Sequence, residues 1–209
     1  TIEFAPNLPW AHGGIVPLAQ MFTEKTGIPA KLTNDANAAA MGEMAYGAAR
    51  GMKNFTVITL GTGVGSGIVV NGEMVYGCDG FAGELGHVIS VRGGRQCGCG
   101  FKGCLEAYCS ATGVARTARE ILAKSDEPSL LREKNPEDIE SLDVSIAASK
   151  GDKIAKEIFE FTGTLLGQAL ADFTKFSSPE AYIFFGGLTK AGDLIMDPIK
   201  KAYDENCMP

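Results

Sequence analysis

Residues 55–70 read FTVITLGTGVGSGIVV, and this stretch decides the fold. Phe55–Leu60 is a run of β-branched and aromatic residues closed by glycine, the pattern of a strand. Glycines at 61, 63, 65 and 67 follow, and the apolar pattern resumes over Gly67–Val70 as a second strand. Asn71-Gly72 is the clearest hairpin turn in the chain, with Met74–Tyr76 as the strand beyond it. Toward the N-terminus, residues 36–49 are rich in good helix formers behind the cap pair Asn34-Asp35. Ile28–Thr33 reads as a short strand, and residues 14–26 as a helix stopped by Gly27 and Pro29. Toward the C-terminus, residues 81–109 are irregular. Helical patterns return over 110–124, 137–149 and 152–175, interrupted by a polar, Pro-containing stretch. Ala181–Phe185 (AYIFF) reads as a buried strand, and Gly186-Gly187 turns it into a helix over 192–205. Strands, then helices, then strand–turn–helix indicate the α/β class, a sheet with helical cover.

Composition narrows the function classes. With 209 residues, the chain makes one large domain or two small ones. Hydrophobic residues at 45% and charged residues at 21% exclude a disordered tail or a fibrous repeat. The formal charge of −6 repels phosphodiester backbones, so nucleic acid is not an expected partner of this segment. No apolar stretch approaches the roughly 18 residues of a membrane span. The start at Thr1, with Glu3 and Pro6 close by, is neither a signal peptide nor an initiator methionine, which suggests a piece of a longer protein. Glycine is concentrated: 16 of the 27 fall in residues 51–113 and none in 114–150, so the first stretch is turn-rich and the second helical.

Three groups of residues carry chemistry. Glycines 61, 63, 65 and 67 let successive backbone N–H groups converge on an anion, with Thr62 and Ser66 as added hydroxyls. No Gly-Lys-Ser/Thr follows and a strand comes next, which excludes a P-loop and a dinucleotide fingerprint. The alternative is a glycine-rich hairpin without a ligand.

Cys97, Cys99 and Cys104 form the second group. Bridging cysteines this close would close only tiny, strained loops, whereas metal binding in a reducing compartment suits them. His87 upstream supplies one nitrogen to three sulfurs, a set matched to a closed, structural zinc site. The competing assignment gives the fourth position to Cys109 or Cys78 and leaves His87 as an ordinary loop histidine. The third group is Asp35, Glu84 and Glu106. Glu84 and His87 are three apart, and Glu106 follows Cys104 by two. Carboxylates and an imidazole are what sugar hydroxyls require. Asp35 reads either as an N-cap or, beside a phosphate loop, as a general base.

Residues 34–40 (NDANAAA), 60–67 (LGTGVGSG), 83–87 (GELGH), 97–106 (CGCGFKGCLE) and 186–192 (GGLTKAG) occur in the order seen in the ROK family, and the chain resembles that family over nearly its whole length. The family comprises bacterial sugar kinases, glucokinases foremost, and sugar-responsive repressors. The resemblance implies an actin-like ATPase (ribonuclease H-like) fold with a mixed sheet. In it, residues 1–34 would be a remnant of the N-terminal lobe and 35–209 the large lobe, with a zinc-bearing insertion at about 78–109. It implies ATP-dependent phosphorylation of a hexose, glucose first, on its primary hydroxyl, in the cytoplasm and by a homodimer or homotetramer.

Residue by residue, the resemblance makes Asp35 the base and Asn34 a sugar ligand. Glu84, His87 and Glu106 would hold further sugar hydroxyls, with His87 facing zinc through one nitrogen and sugar through the other. Gly61, Thr62, Gly63 and Gly65 would meet the ATP phosphates, and Gly186, Gly187 and Leu188 the adenosine. His87, Cys97, Cys99 and Cys104 would hold zinc. The family's Asp-x-Gly-Gly-Thr phosphate loop has no match here, so magnesium ligands are not identifiable. About a third of a full-length kinase is then expected upstream of Thr1, a shorter piece beyond Pro209, and no turnover from this chain by itself. The rival function is a sugar-sensing repressor whose DNA-binding domain lies outside these residues.

Overall fold

In the computed structural model, which describes Ile2 and residues 14–208, the Phe55–Val70 stretch forms the middle of a four-stranded sheet. Its strands are β1 (Phe55–Leu60), β2 (Val64–Val70), β3 (Glu73–Met74) and β4 (Ala181–Phe185), in the order β3-β2-β1-β4. β1 pairs antiparallel with β2, Phe55 opposite Val69 and Leu60 opposite Val64. It pairs parallel with β4, Thr59 opposite Phe185. The sheet is mixed, as expected from the resemblance.

The period-2 alternation of β1 sends its side chains to two cores. Phe55 and Val57 pack with Val69, Ala40 and Ala49 beneath helix α2 (Asp35–Tyr46). Ile58 and Leu60 join the larger core built by α4 (Ala111–Leu122), α5 (Ser141–Ser149), α6 (Lys153–Ser177) and α7 (Asp193–Asn206). α1 (Leu18–Thr26) and α3 (Glu106–Cys109) complete the helices. The 25-residue α6 places Ile154, Ile158, Leu166 and Leu170 on one buried stripe. Its N-cap is Asp152, which accepts from the Ala155 N–H at 2.9 Å. α2 lies unusually close to β2. A Cβ on Gly67 would stand 2.8 Å from Ala40 Cβ and 2.9 Å from the Ala36 carbonyl oxygen, and one on Gly65 would meet Ala36 Cβ at 3.1 Å.

Several expectations need correcting. Ile28–Thr33 forms no strand: the Ala30 N–H donates to Thr23 Oγ1, and no described strand pairs with the segment. A short extended stretch becomes a strand only when a ladder partner satisfies its backbone, and Pro29 has no N–H to offer one. The first helix begins at Leu18, because Val16 is drawn into a bridge with Ile2 and Pro17 takes the cap position. β2 begins at Val64, three residues earlier than expected, so Gly65 and Gly67 are strand residues. β3 shrinks to Glu73–Met74. The helix expected over 137–149 begins at Ser141 after a 3₁₀ turn at Pro136–Asp138. β4 is half-buried with Phe185 56% exposed, since β1 flanks it on one side only among the described residues. The expected N-terminal remnant, residues 1–34, falls partly outside the described residues, as do His12, residues 3–11 and Pro209.

Candidate functional site

β1 and β4 run parallel and end side by side, and each is followed by a glycine turn: Gly61–Gly63 after β1, Gly186-Gly187 after β4. The crevice beyond the carboxyl ends of parallel strands is where open α/β sheets take ligands. The second turn packs against the end of β1. Gly186, at φ +115°, lies so close that a Cβ would stand 2.4 Å from the Leu60 carbonyl oxygen. Gly187 and Gly61 have open space in front of them, while Leu188 is buried.

Within the first turn the Gly61 N–H donates to the Gly63 carbonyl at 3.0 Å. The N–H groups of Thr62 and Gly63 have no acceptor among the described residues. The anion-ready donors are therefore these two, and Gly65, grouped with them from the sequence, belongs to the packing of α2 on β2. Ser66 is likewise engaged: its hydroxyl donates to the Gly83 carbonyl and accepts from the Leu85 N–H at 3.2 Å. Beside the turn a cavity of about 760 Å³ is lined by Thr62, Ala111, Thr112, Arg119, Lys134 and Ser141, among others.

The carboxylates expected from the sequence gather around the start of β2. Ser66, by holding residues 83 and 85, fixes Glu84 between them. Asn34 reaches Glu84 Oε1 with its side-chain amide at 3.4 Å. Asn34, rather than Asp35, caps α2: its Oδ1 accepts from the Ala36 N–H at 2.7 Å. Asp35 is the first helical residue, and its Oδ1 accepts from the same N–H at 2.8 Å, leaving Oδ2 uncommitted among the described residues. Glu106 opens α3 and bridges two neighbours. Its Oε2 accepts from the Val64 N–H at 3.0 Å, and its Oε1 lies 3.7 Å from Cys97 Sγ.

The loop from 78 to 105 is held by backbone bonds across its own turns. Val91 N–H reaches the Gly103 carbonyl, Leu105 N–H that of Val88, and Cys97 N–H that of Phe101. These bonds bring one ligand atom each of His87, Cys97, Cys99 and Cys104 within 4.8 Å of one another. His87 Nδ1 is 3.8 Å from Cys97 Sγ, and the sulfurs of Cys99 and Cys104 are 3.5 Å apart. Four ligands at about 2.0–2.3 Å from one tetrahedral centre require separations of this size, so the donor set fits zinc. Cys109 is not part of it: it is fully buried and points its thiol at the Thr162 carbonyl. Cys78 is exposed and also outside the cluster.

The thiols titrate against one another. Burial pushes Cys97 up, and burial together with its two thiol neighbours pushes Cys104 up to about 12. At Cys99 burial also raises the pKa, but the Phe101 backbone and the adjacent thiols outweigh it and hold the group below its ordinary value.

Sequence reading missed two groups that organise this site. The Ala111 N–H and Thr112 Oγ1 tie the start of α4 to the glycine turn while Ser110 caps the helix, and only the N-cap signal of Ser110 was visible in the chain. Arg95, 8% exposed, donates to Glu120, Thr117 and the Ala107 carbonyl and stacks 4.4 Å over Tyr108, whose hydroxyl accepts from the Arg95 N–H. These contacts join the cysteine-bearing loop to α4.

The ROK family model matches residues 1–208. The chain belongs to the ROK family. It is 40% identical to a glucokinase of Halalkalibacterium halodurans over 210 residues, which is 100% of this chain and 63% of that protein. It superimposes with a TM-score of 0.87 on the ROK glucokinase of Streptomyces griseus in complex with glucose and AMPPNP, at 37% identity over 99% of this chain and 66% of that one. A ROK transcriptional regulator, a homolog of the E. coli MLC protein, aligns with a TM-score of 0.85 at 29% identity, over 97% of this chain and 50% of that one. The chain thus spans about 63% of the length of the H. halodurans relative. Its α/β fold with a mixed sheet is that of the ROK sugar kinases. No helix among the described residues is long and apolar enough to cross a membrane.

Proposed function

We propose that the full-length protein transfers the γ-phosphoryl group of ATP to the primary hydroxyl of a hexose, glucose foremost, with Asp35 as general base. The observation that carries this reading is Glu106. It joins the glycine turn, through Val64, to the cluster that holds His87, so that phosphate donors and hydroxyl-binding groups share one wall. In this reading Asn34, Glu84, His87 and Glu106 take the sugar hydroxyls. His87 turns Nδ1 to the metal cluster and leaves Nε2 for the sugar. The Thr62 and Gly63 N–H groups meet the phosphates, and Gly186, Gly187 and Leu188 border the adenosine.

Asp35 takes the hydroxyl proton as the sugar oxygen bonds to the γ-phosphorus. The bond from that phosphorus to the bridging oxygen breaks, and ADP leaves with the electron pair. His87, Cys97, Cys99 and Cys104 would hold zinc, which would supply a closed structural centre beside Glu106. Magnesium enters with the nucleotide; among the described residues no second cluster of potential ligands gathers.

The glucokinase relatives support this reading, and the regulators of the same family set its rival, a sugar sensor without chemistry. Asp35→Asn in the full-length protein separates them. Turnover with glucose and ATP, read in a coupled assay, is expected to fall by about 10²–10⁴-fold while glucose affinity by calorimetry changes little. Near-normal turnover in the variant would reduce Asp35 to a helix-terminal residue. Glucose binding without turnover in the unmodified protein would establish the sensor.

A further inference from the structure

The glycine turn is clamped from behind by the first residues of α4. The Ala111 N–H donates to the Gly61 carbonyl at 2.8 Å, and Thr112 Oγ1 donates to the Thr62 carbonyl at 2.9 Å. A carbonyl only accepts, so the Thr112 proton is directed at it. A trans peptide is planar, with its C=O and N–H pointing to opposite sides. Holding the Thr62 carbonyl toward α4 therefore turns the Gly63 N–H away from α4, and holding the Gly61 carbonyl does the same for the Thr62 N–H. These are the two donors of the turn without an acceptor among the described residues.

The clamp is itself anchored. Ser110 Oγ donates its one proton to the Glu106 carbonyl at 2.7 Å and caps α4 by accepting from the Gly113 N–H, which fixes the helix start that carries Thr112. One side chain, Thr112, sets a peptide plane that glycine on its C-terminal side leaves free to rotate.

We propose that Thr112 is a positioning residue for the nucleotide phosphates, acting through the Thr62–Gly63 peptide to aim the Gly63 N–H at the transferred group. The proposal rests on the kinase reading above. Preorganised backbone donors matter where charge develops, because they need no reorientation during the reaction. Thr112→Val keeps the shape and removes the proton, and Thr112→Ser keeps the proton.

In the full-length protein Thr112→Val is expected to raise the KM for ATP and the Kd for a non-hydrolysable ATP analogue that keeps the γ-phosphoryl group by about fivefold to tenfold, as one hydrogen bond is lost. Glucose KM and the melting temperature should stay at their original values, and Thr112→Ser should return nucleotide affinity to within about twofold. A merely structural role predicts a lower melting temperature and equal losses for glucose and ATP, without rescue by serine. That pattern, or unchanged nucleotide affinity in Thr112→Val beside an active parent, overturns the proposal. A parent protein that binds no ATP overturns the kinase reading, and the role of Thr112 with it.

Discussion

The two sides of this molecule are held together by different physics. The helices α4 to α7 cover the sheet with a continuous apolar core, in which Ile154, Ile158, Leu166, Leu170 and Ile195 are fully buried. The loop from 78 to 105 has almost no apolar interior. Its buried apolar side chains are Cys97, Cys104 and Leu105, and its order comes from backbone bonds across turns and from the buried Arg95 side chain, with His87, Cys97, Cys99 and Cys104 gathered within it. The difference shows how a large share of the candidate site can sit in irregular chain. A core can fix a strand by burying it, but side chains that are to bind a polar ligand must remain polar and accessible. Hydrogen bonds across the turns provide rigidity there without closing the site, and the proposed metal centre would add to it.

The largest expected effect breaks this division directly. Elemental analysis of the purified protein should find about one zinc per chain, and Cys99→Ser should lose it. Structural zinc contributes on the order of 10 kcal/mol of binding free energy in small peptides, so its loss should unfold the loop and weaken glucose binding. Hydrogen exchange should then show residues 78–105 unprotected and α6 still protected. A metal-free protein with an unchanged melting temperature would sink the idea.

Leu166→Ala probes the opposite side. A fully buried leucine cut to alanine costs about 2–5 kcal/mol, read in denaturant unfolding, while zinc content and glucose affinity in the folded protein stay unchanged. Loss of zinc in this variant would mean that the two regions fold as one unit through Arg95.

The smallest effect sharpens the comparison at a helix end. Asp152 is pushed up by burial, but the N–H groups of Ala155 and Leu130 that bond its carboxylate outweigh this and hold it below the usual range. A depressed folded pKa contributes stability that is full above the ordinary carboxylate value and is lost as pH falls through the folded one. Asp152→Ala should cost about 1 kcal/mol at neutral pH and progressively less in acid, measured by unfolding at each pH.

Both long strand boundaries that flank glycine were legible: Phe55–Leu60 and Ala181–Phe185 occur as read, because β-branched runs end where glycine permits a turn. That Cys97, Cys99 and Cys104 would gather was also legible from their short spacing, whereas the choice of His87 over Cys109 or Cys78 as their neighbour was left open by the sequence and appears only in the fold. The exposure of β4 was not, because apolar composition does not say whether a strand has one neighbour or two. Nor was the coil at Ile28–Thr33, whose strand-like residues lack a described partner. The candidate site was legible as a list of residue types. Its wiring was not: the division of Asn34 as cap from Asp35 as first helical residue depends on local backbone angles, and the reach of Glu106 to Val64 crosses 42 positions of chain.

The sequence by itself determined the α/β class, the glycine turns, the cysteine cluster and the acidic residues near it, because these follow from local propensity and side-chain chemistry. Only the tertiary structure decided what each glycine of 61–67 does. Gly65 and Gly67 admit α2 against β2, while the turn at 61–63 keeps two N–H groups free, and the same residue type answers both needs. It also decided that Cys109 points into the core at Thr162 while Cys104, five residues earlier, joins the cluster. Spacing along a chain constrains which atoms can meet, but packing against elements far away in sequence selects which of them do.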